Sequence, residues 1–288
     1  MAQFECSVCA SQGARSYQED TALVRGQTAT GEAQLIGSKN VGLDEASIAA
    51  GAQHLVFGSA LAVLADGMGG HAGGSVASRI VCDAFVDAFS SDKSLSDGLL
   101  EDTAPDRLTA ALDRANSEVA DRVGQEPALA GMGSTAIAVW LTGQHLHWVS
   151  VGDSSLYLYR QGDIAVLNQD HSLAPELDKM AAAGIITLEQ AQSDPRRHML
   201  RSAVTGDDIE LIDTSKAALT LEPGDFALIA SDGLHTLDKA TITSLIEQQG
   251  QTGGARGVAQ ALIEAVDGAG ATHQDNTTVV VLRVLGDV

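Results

Sequence analysis

The chain has 288 residues, 44% hydrophobic and 19% charged, enough apolar length to bury a large core in one domain. Seventeen basic residues against 38 acidic ones give a formal charge of -21, which argues against nucleic acid and anionic membrane as partners. Cys6, Cys9 and Cys82 build no disulfide framework, the Cys6-x-x-Cys9 pair lacks the second pair of a zinc site, and neither a membrane span nor a basic-then-apolar leader is present, so a soluble cytoplasmic protein is expected.

In chain order, strands are predicted at 4–10 and 20–25, flanking GARSYQED at 13–20. Residues 26 to about 55, rich in Gly, Ala, Ser and Gln without a clear period, are expected to be an inserted surface loop. An apolar strand-length run then ends at Asp66, glycines crowd the next turn, and a helical period begins with Val76, Ile80, Ala84, Phe85 and Ala88, predicting a helix over 75–89. A second helix over 105–123 opens on Pro105 and places Leu108, Leu112, Ala115 and Val119 on its buried stripe. Strands follow at 134–141, 145–151, 155–160 and 164–167, and the short turns at Thr142-Gly143 and Gln161-Gly162-Asp163 make them antiparallel neighbours.

A polar, helical stretch at 168–208 interrupts the strands as a lid or flap. Strands resume at 209–213 and 226–231 around a Pro223-Gly224-Asp225 turn. Two helices follow, 239–249 with Asp238 as N-cap and 255–266 with Val258, Leu262, Ile263 and Val266 on one face, before a last strand at 277–284. Runs of antiparallel strands with helices grouped in pairs predict an α+β fold, two antiparallel sheets face to face with helices outside, in one domain over 1–288.

The stretch LAVLADGMGGHAGGS at 61–75 delivers a carboxylate, Asp66, to the open end of a buried strand. Asp-Gly is also a favoured hairpin turn, but helix follows it here; a phosphate loop would need Gly-Lys-Ser/Thr, which is absent. Asp66 therefore reads as a cation holder, and the device recurs: Asp232 ends FALIASDG, Asp153 ends HLHWVSVGD, and Asp275 precedes the strand of HQDNTTVVV. One aspartate at a strand end is ordinary turn chemistry; four of them, beside Glu19 and Asp20, suggest converging hard-oxygen ligands suited to Mg²⁺ or Mn²⁺. Two such ions roughly 3.5 to 4 Å apart can share a water, lower its pKa and aim it at phosphorus.

Arg15 is the candidate grip on phosphate, because a planar guanidinium holds two oxygens at once. On residue types alone, its segment reads equally well as a solvated charged loop. His71 is a candidate proton donor, and His235 and His273 neighbour the aspartates; a lone histidine in such a place is more often structural or exposed.

The ordered set GARSYQED, LADGMGGHAGG, GMGSTAIAV, VSVGDSSLYLYR, DHSLAPEL, RRHMLRSAVTG, ASDGL and HQDNTTVVV resembles the bacterial branch of the metal-dependent Ser/Thr protein phosphatases of type 2C, over nearly the whole chain except 26–55 and 90–105. The resemblance implies a four-layer α-β-β-α sandwich, two Mn²⁺ or Mg²⁺ ions with a weaker third, and hydrolysis of phosphoserine and phosphothreonine without a phosphoenzyme. By position it implies that Asp66 bridges both ions and Gly67 offers its carbonyl. Asp232 and Asp275 complete the first ion's shell, Glu19 and Asp20 support the second, Asp153 helps hold the third, and Arg15 binds phosphate.

Residues 168–208 match the flap. Partners implied by analogy are phosphorylated proteins and a Hanks-type Ser/Thr kinase, and a monomer is expected. Gln18 stands where the family usually has Asn, and Met68 where animal relatives carry a histidine thought to protonate the leaving group, which leaves that role unassigned. The rivals are a catalytically weak signalling or binding module, against which the retained Arg15, Asp66, Asp232 and Asp275 speak, and a hydrolase of small phosphoesters.

Overall fold

The structure, a computed structural model, describes residues 2–27, 33–38, 55–69, 72–90 and 103–287. Ten of its strands follow one another in the first two thirds of the chain: β1 (Ala2–Ser11), β2 (Thr21–Gln27), β3 (Ala33–Gly37), β4 (Leu55–Phe57), β5 (Ser59–Ala65), β6 (Gly67–Met68), β7 (Gly133–Ser134), β8 (Ala136–Thr142), β9 (His145–Val151) and β10 (Ser155–Arg160). The remainder are β11 (Asp163–Val166), β12 (Asp213–Thr214), β13 (Leu219–Thr220), β14 (Phe226–Ala230) and β15 (Thr277–Asp287). One antiparallel sheet has the order β11-β10-β14-β15-β1-β4; the other runs β12-β9-β8-β5-β2-β3, with β13 also on β9.

Helices α1 (Ala72–Ser90) and α2 (Ala104–Gln125) cover the outer face of the second sheet, and α5 (Lys239–Gly250) and α6 (Gly254–Gly268) cover that of the first. Short helices α3 (Ala174–Ala182) and α4 (Leu188–Ser193) lie in the flap. This is the expected α+β sandwich of four layers. Among the described residues, no helix is long and apolar enough to cross a membrane.

The layering explains why the central strands are apolar without alternation. Side chains along a strand point to opposite faces, and here both faces are covered. On β5, Ala60, Ala62 and Leu64 join the core between the sheets, while Leu61, Val63 and Ala65 face α1 and α2. Strand β14 does the same, with Ala227 and Ile229 between the sheets and Phe226, Leu228 and Ala230 under α5 and α6.

Helix α2 buries Leu108, Leu112, Ala115 and Val119, as its periodicity predicts. Asp238 caps α5 by accepting from Thr241 N at 2.8 Å. Each buried Leu, Ile, Val or Phe contributes roughly 1.5–3 kcal/mol, so three such cores hold the strand ends in place.

Two expectations need correction. The segment 26–55 is not all loop: Gly26 and Gln27 belong to β2, and β3 pairs with it from Leu23↔Gly37 to Gln27↔Ala33. Gly26 is required there because a Cβ would come within 2.0 Å of the Phe57 ring. Residues 28–32 and 39–54 lie outside the described residues. The strand expected at 209–213 reduces to Asp213–Thr214 on β9, because Ile209 packs toward the α1–α2 core and only Asp213 and Thr214 reach pairing register with Ser150 and Val149.

Candidate active site

All four strand-end aspartates reach one end of the sandwich. Asp66 follows β5, Asp153 stands two residues beyond β9, Asp232 two beyond β14, and Asp275 two before β15. In the first sheet Ala230 pairs with Val279, and in the second Ala136 pairs with Val151, so the ends are brought side by side by register. A cleft of about 640 Å³ opens there, lined by Arg15, Glu19, Asp66, Gly67, Asp153, Asp232 and Asp275 among others.

Hydrogen bonds fix the floor. The main chain of Asp66 is held on both sides: its N–H donates to Thr135 Oγ1 at 3.0 Å, and its carbonyl accepts from Thr135 N at 2.8 Å and Ser134 Oγ at 2.9 Å. Gly67 must be glycine, since a Cβ would lie 2.1 Å from Gly74 O in the first turn of α1 and 2.8 Å from Glu19 O. The loop carrying Arg15 and Glu19 is pinned by the buried Asn276, whose Oδ1 accepts from Glu19 N at 2.7 Å while its Nδ2 donates to Gln12 O and Tyr17 O, both at 2.9 Å. Sequence reading passed over Asn276 and Thr135. Their signal was adjacency, of Asn276 to Asp275 and of Thr135 to Ser134, which pairs with Gly67 between β6 and β7.

Glu19 and Asp20, expected as a pair, part company. Glu19 lines the cleft; Asp20 is fully buried beneath it, where Ser231 Oγ donates to its Oδ2 at 2.8 Å across the two sheets. Arg15, expected to await phosphate, instead pairs its NH2 with Asp275 Oδ2. His235 shares a 3.2 Å hydrogen bond with Ser155 Oγ, His273 is exposed and does not line the cleft, and His71 lies outside the described residues. The flap contributes lining residues the sequence reading did not single out, His198, Arg201 and Asp208, and Glu210 just beyond it adds another.

The electrostatics of this end suit a cation. Burial, and then the charges of Asp20, Asp232, Asp153 and Asp275, push the Asp66 carboxyl well above the ordinary range. Burial above all raises Asp20 to about 7, with Ser231 opposing it. Burial followed by Asp232 and Asp170 raises Asp153 to about 7. Asp232 is raised by burial and Asp275, partly offset by His235, His198 and Arg15.

Asp20 Oδ1 and Asp232 Oδ1 are buried without a hydrogen-bond partner, a costly state for a carboxylate. Among the described residues no three acidic, histidine or cysteine side chains close tightly enough to enclose an ion by themselves. The donor set is all oxygen, from carboxylates and the Gly67 carbonyl, which fits a small hard divalent ion.

A family profile described as protein phosphatase 2C matches residues 47–267. The chain belongs to the protein phosphatase 2C family. Within it, the serine/threonine protein phosphatase PstP of Mycobacterium tuberculosis is 38% identical over 229 residues, 79% of this chain, and the chain spans 41% of that relative's length. The crystal structure of the M. tuberculosis phosphatase PstP/Ppp superimposes with a TM-score of 0.73 at 29% identity, covering 99% of this chain and 100% of the other. A structure of the PstP catalytic domain in complex with two manganese ions gives 0.70 at 28% identity, covering 99% and 100%.

Proposed function

We propose that the chain is a metal-dependent phosphatase of phosphoserine and phosphothreonine in proteins, reversing the work of a Ser/Thr kinase of the Hanks type in the cytoplasm. The observation that carries this reading is the meeting of Asp66, Asp153, Asp232, Asp275 and Glu19 with Arg15 in one cleft of a protein phosphatase 2C family member. The relative crystallised with two manganese ions supports a divalent requirement. Residues 1–288 are read as one domain with 168–208 as its flap.

Asp66 would face both ions, with the Gly67 carbonyl beside it; Asp232 and Asp275 would complete one shell, and Glu19, with Asp20 behind it, the other. Asp153 would share a third, weakly held ion with Asp232. When bound, the ions supply Lewis acidity and an activated water at phosphorus. The chain's own part is positioning: the Thr135 and Ser134 clamp fixes Asp66, and Asn276 fixes the loop of Glu19 and Arg15. Arg15, beside Asp275, would grip two phosphate oxygens.

Turnover of a phosphothreonine peptide with Mn²⁺, with chelator and with neither tests the reading. Hydrolysis that needs the metal supports it. Activity that survives thorough chelation, or turnover of small phosphoesters with none of phosphopeptides, overturns it.

A further inference from the structure

Asp153 sits in a turn that its own element does not secure. Gly152 before it has φ +103°, and a Cβ there would come within 2.6 Å of Thr135 Cγ2, so the turn needs glycine and has little side chain of its own to anchor it. The anchoring comes from the base of the flap. His171, 4% exposed, donates its main-chain N–H to Gly152 O at 3.0 Å, and its Nδ1 accepts the Gly152 N–H at 3.2 Å. One residue thus satisfies both main-chain groups of Gly152. Because the amide can only donate, Nδ1 must carry the lone pair, which fixes the neutral tautomer with the proton on Nε2. Burial lowers the imidazole's pKa and favours that neutral form.

The same residue reaches into the flap: Arg201 N donates to His171 O at 2.8 Å, and Ser172 bridges Leu200 beside it. Arg201 and Leu200 line the cleft opposite the carboxylates. Flap and turn therefore share His171 as an anchor, beside Asn168, whose Nδ2 donates to Ser154 O at 2.9 Å. We propose that His171 is a positioning residue, holding Gly152 by ring and main chain so that the Asp153 carboxylate and the flap's inner edge keep one fixed spacing. The inference rests on the reading of Asp153 as a metal ligand, and its test separates the two.

The variants are His171→Asn, whose Oδ1 occupies the place of Nδ1 and can accept the same bond, and His171→Leu, which fills the space without an acceptor. Two readouts need no metal: the scalar coupling between Gly152 N and the ring Nδ1 across the hydrogen bond in the wild type, and the hydrogen exchange of the Gly152 amide. A third is the Mn²⁺ concentration giving half-maximal phosphopeptide turnover.

Coupling in the wild type is expected. Gly152 exchange should be within about twofold of wild type in the Asn variant and about tenfold faster in the Leu variant, with a Mn²⁺ requirement raised about tenfold in the Leu variant alone, the scale on which groups orienting a ligand are felt. Absent coupling, an Asn variant as impaired as Leu, or a Leu variant indistinguishable from wild type would each overturn the proposal. Should His171→Leu fail to fold, the wild-type coupling and the Asn variant still decide it. A wild type without turnover would overturn the phosphatase reading, and coupling and exchange would still decide the clamp.

Discussion

Strand β14 carries an aspartate near each of its ends, and the two are treated in opposite ways. Asp225, just before the strand and 2% exposed, is saturated: Arg160 Nε donates to it at 3.0 and 3.2 Å and Arg160 NH2 at 2.6 Å, while Glu222 N donates to Oδ2 at 2.7 Å. Asp232, beyond the other end, has a buried Oδ1 with no protein partner and stands among Asp66, Asp153 and Asp275. Desolvating a carboxylate is expensive unless it is paired, so a fold that pairs one and leaves the other is spending stability at one end only. Asp225 belongs to the scaffold. Asp232 belongs to the proposed site, where a divalent cation would be its positive partner.

Substitutions at the two ends should therefore part stability from activity. The largest effect is expected from Asp66→Asn, which should lower kcat by on the order of a thousandfold, the scale of losing a group that organises developing charge. The same variant should raise the metal-free melting temperature by a few degrees, because a neutral amide relieves a buried like-charge cluster, ~1 kcal/mol being about 2–4 °C at this size. Near-normal turnover in Asp66→Asn would show that the centre lies elsewhere. At the other end, Asp225→Asn should cost about 2 kcal/mol, short of the figure for a fully buried pair because the Arg160 side chain keeps 30% exposure, with kcat of the folded fraction unchanged. Denaturant melts and turnover on the same preparation distinguish the two variants.

Arg15→Ala sharpens the contrast with a smaller effect. Losing one or two charge-assisted hydrogen bonds to phosphate, about 1.5–3 kcal/mol, should lower kcat/KM by roughly 10–100-fold. Since Arg15 pairs with Asp275, its removal should leave Mn²⁺ affinity equal or severalfold tighter in calorimetry. Collapse of metal binding would make Arg15 structural.

A pH effect of definite sign separates the two ends as well. Asp20 and Asp153 titrate at about 7 in the folded chain and at roughly 3.9 when unfolded. Between those values the native state holds more protons than the unfolded one, so stability present below about pH 4 is lost as pH rises through 7. Metal-free melts should therefore show this contribution falling from pH 5 to pH 8, and saturating Mn²⁺ should flatten the trend. A metal-free protein that gains stability over that range by the same groups would reverse the assignment.

The contrast also explains what could be read from sequence. Asp66, Asp153, Asp232 and Asp275 were legible because a strand has a definite end, and an apolar run that stops at a carboxylate announces where that charge goes. The sandwich was legible for the same reason, as β5 and β14 are apolar on both faces. Asn276 and His171 were harder, since their work is to satisfy main-chain groups of distant loops, and a polar residue's partners follow from tertiary contact rather than from spacing. Nothing in GARSYQED distinguishes Glu19 at the cleft from Asp20 beneath it; the alternation of side chains entering β2 does that. Strand β3 escaped notice because Gln34 and Gly37 break the apolar signal in a short edge strand.

The proposal most open to direct test is that the crowded carboxylates hold divalent cations. Calorimetric titration of the metal-free chain with Mn²⁺ at pH 7, run in two buffers of different ionisation enthalpy, measures ion count and proton release together. Two ions per chain should bind with release of protons from the raised carboxyls, and Asp66→Asn should lose both signals. Absence of binding, or binding that displaces no protons and persists in Asp66→Asn, would contradict it.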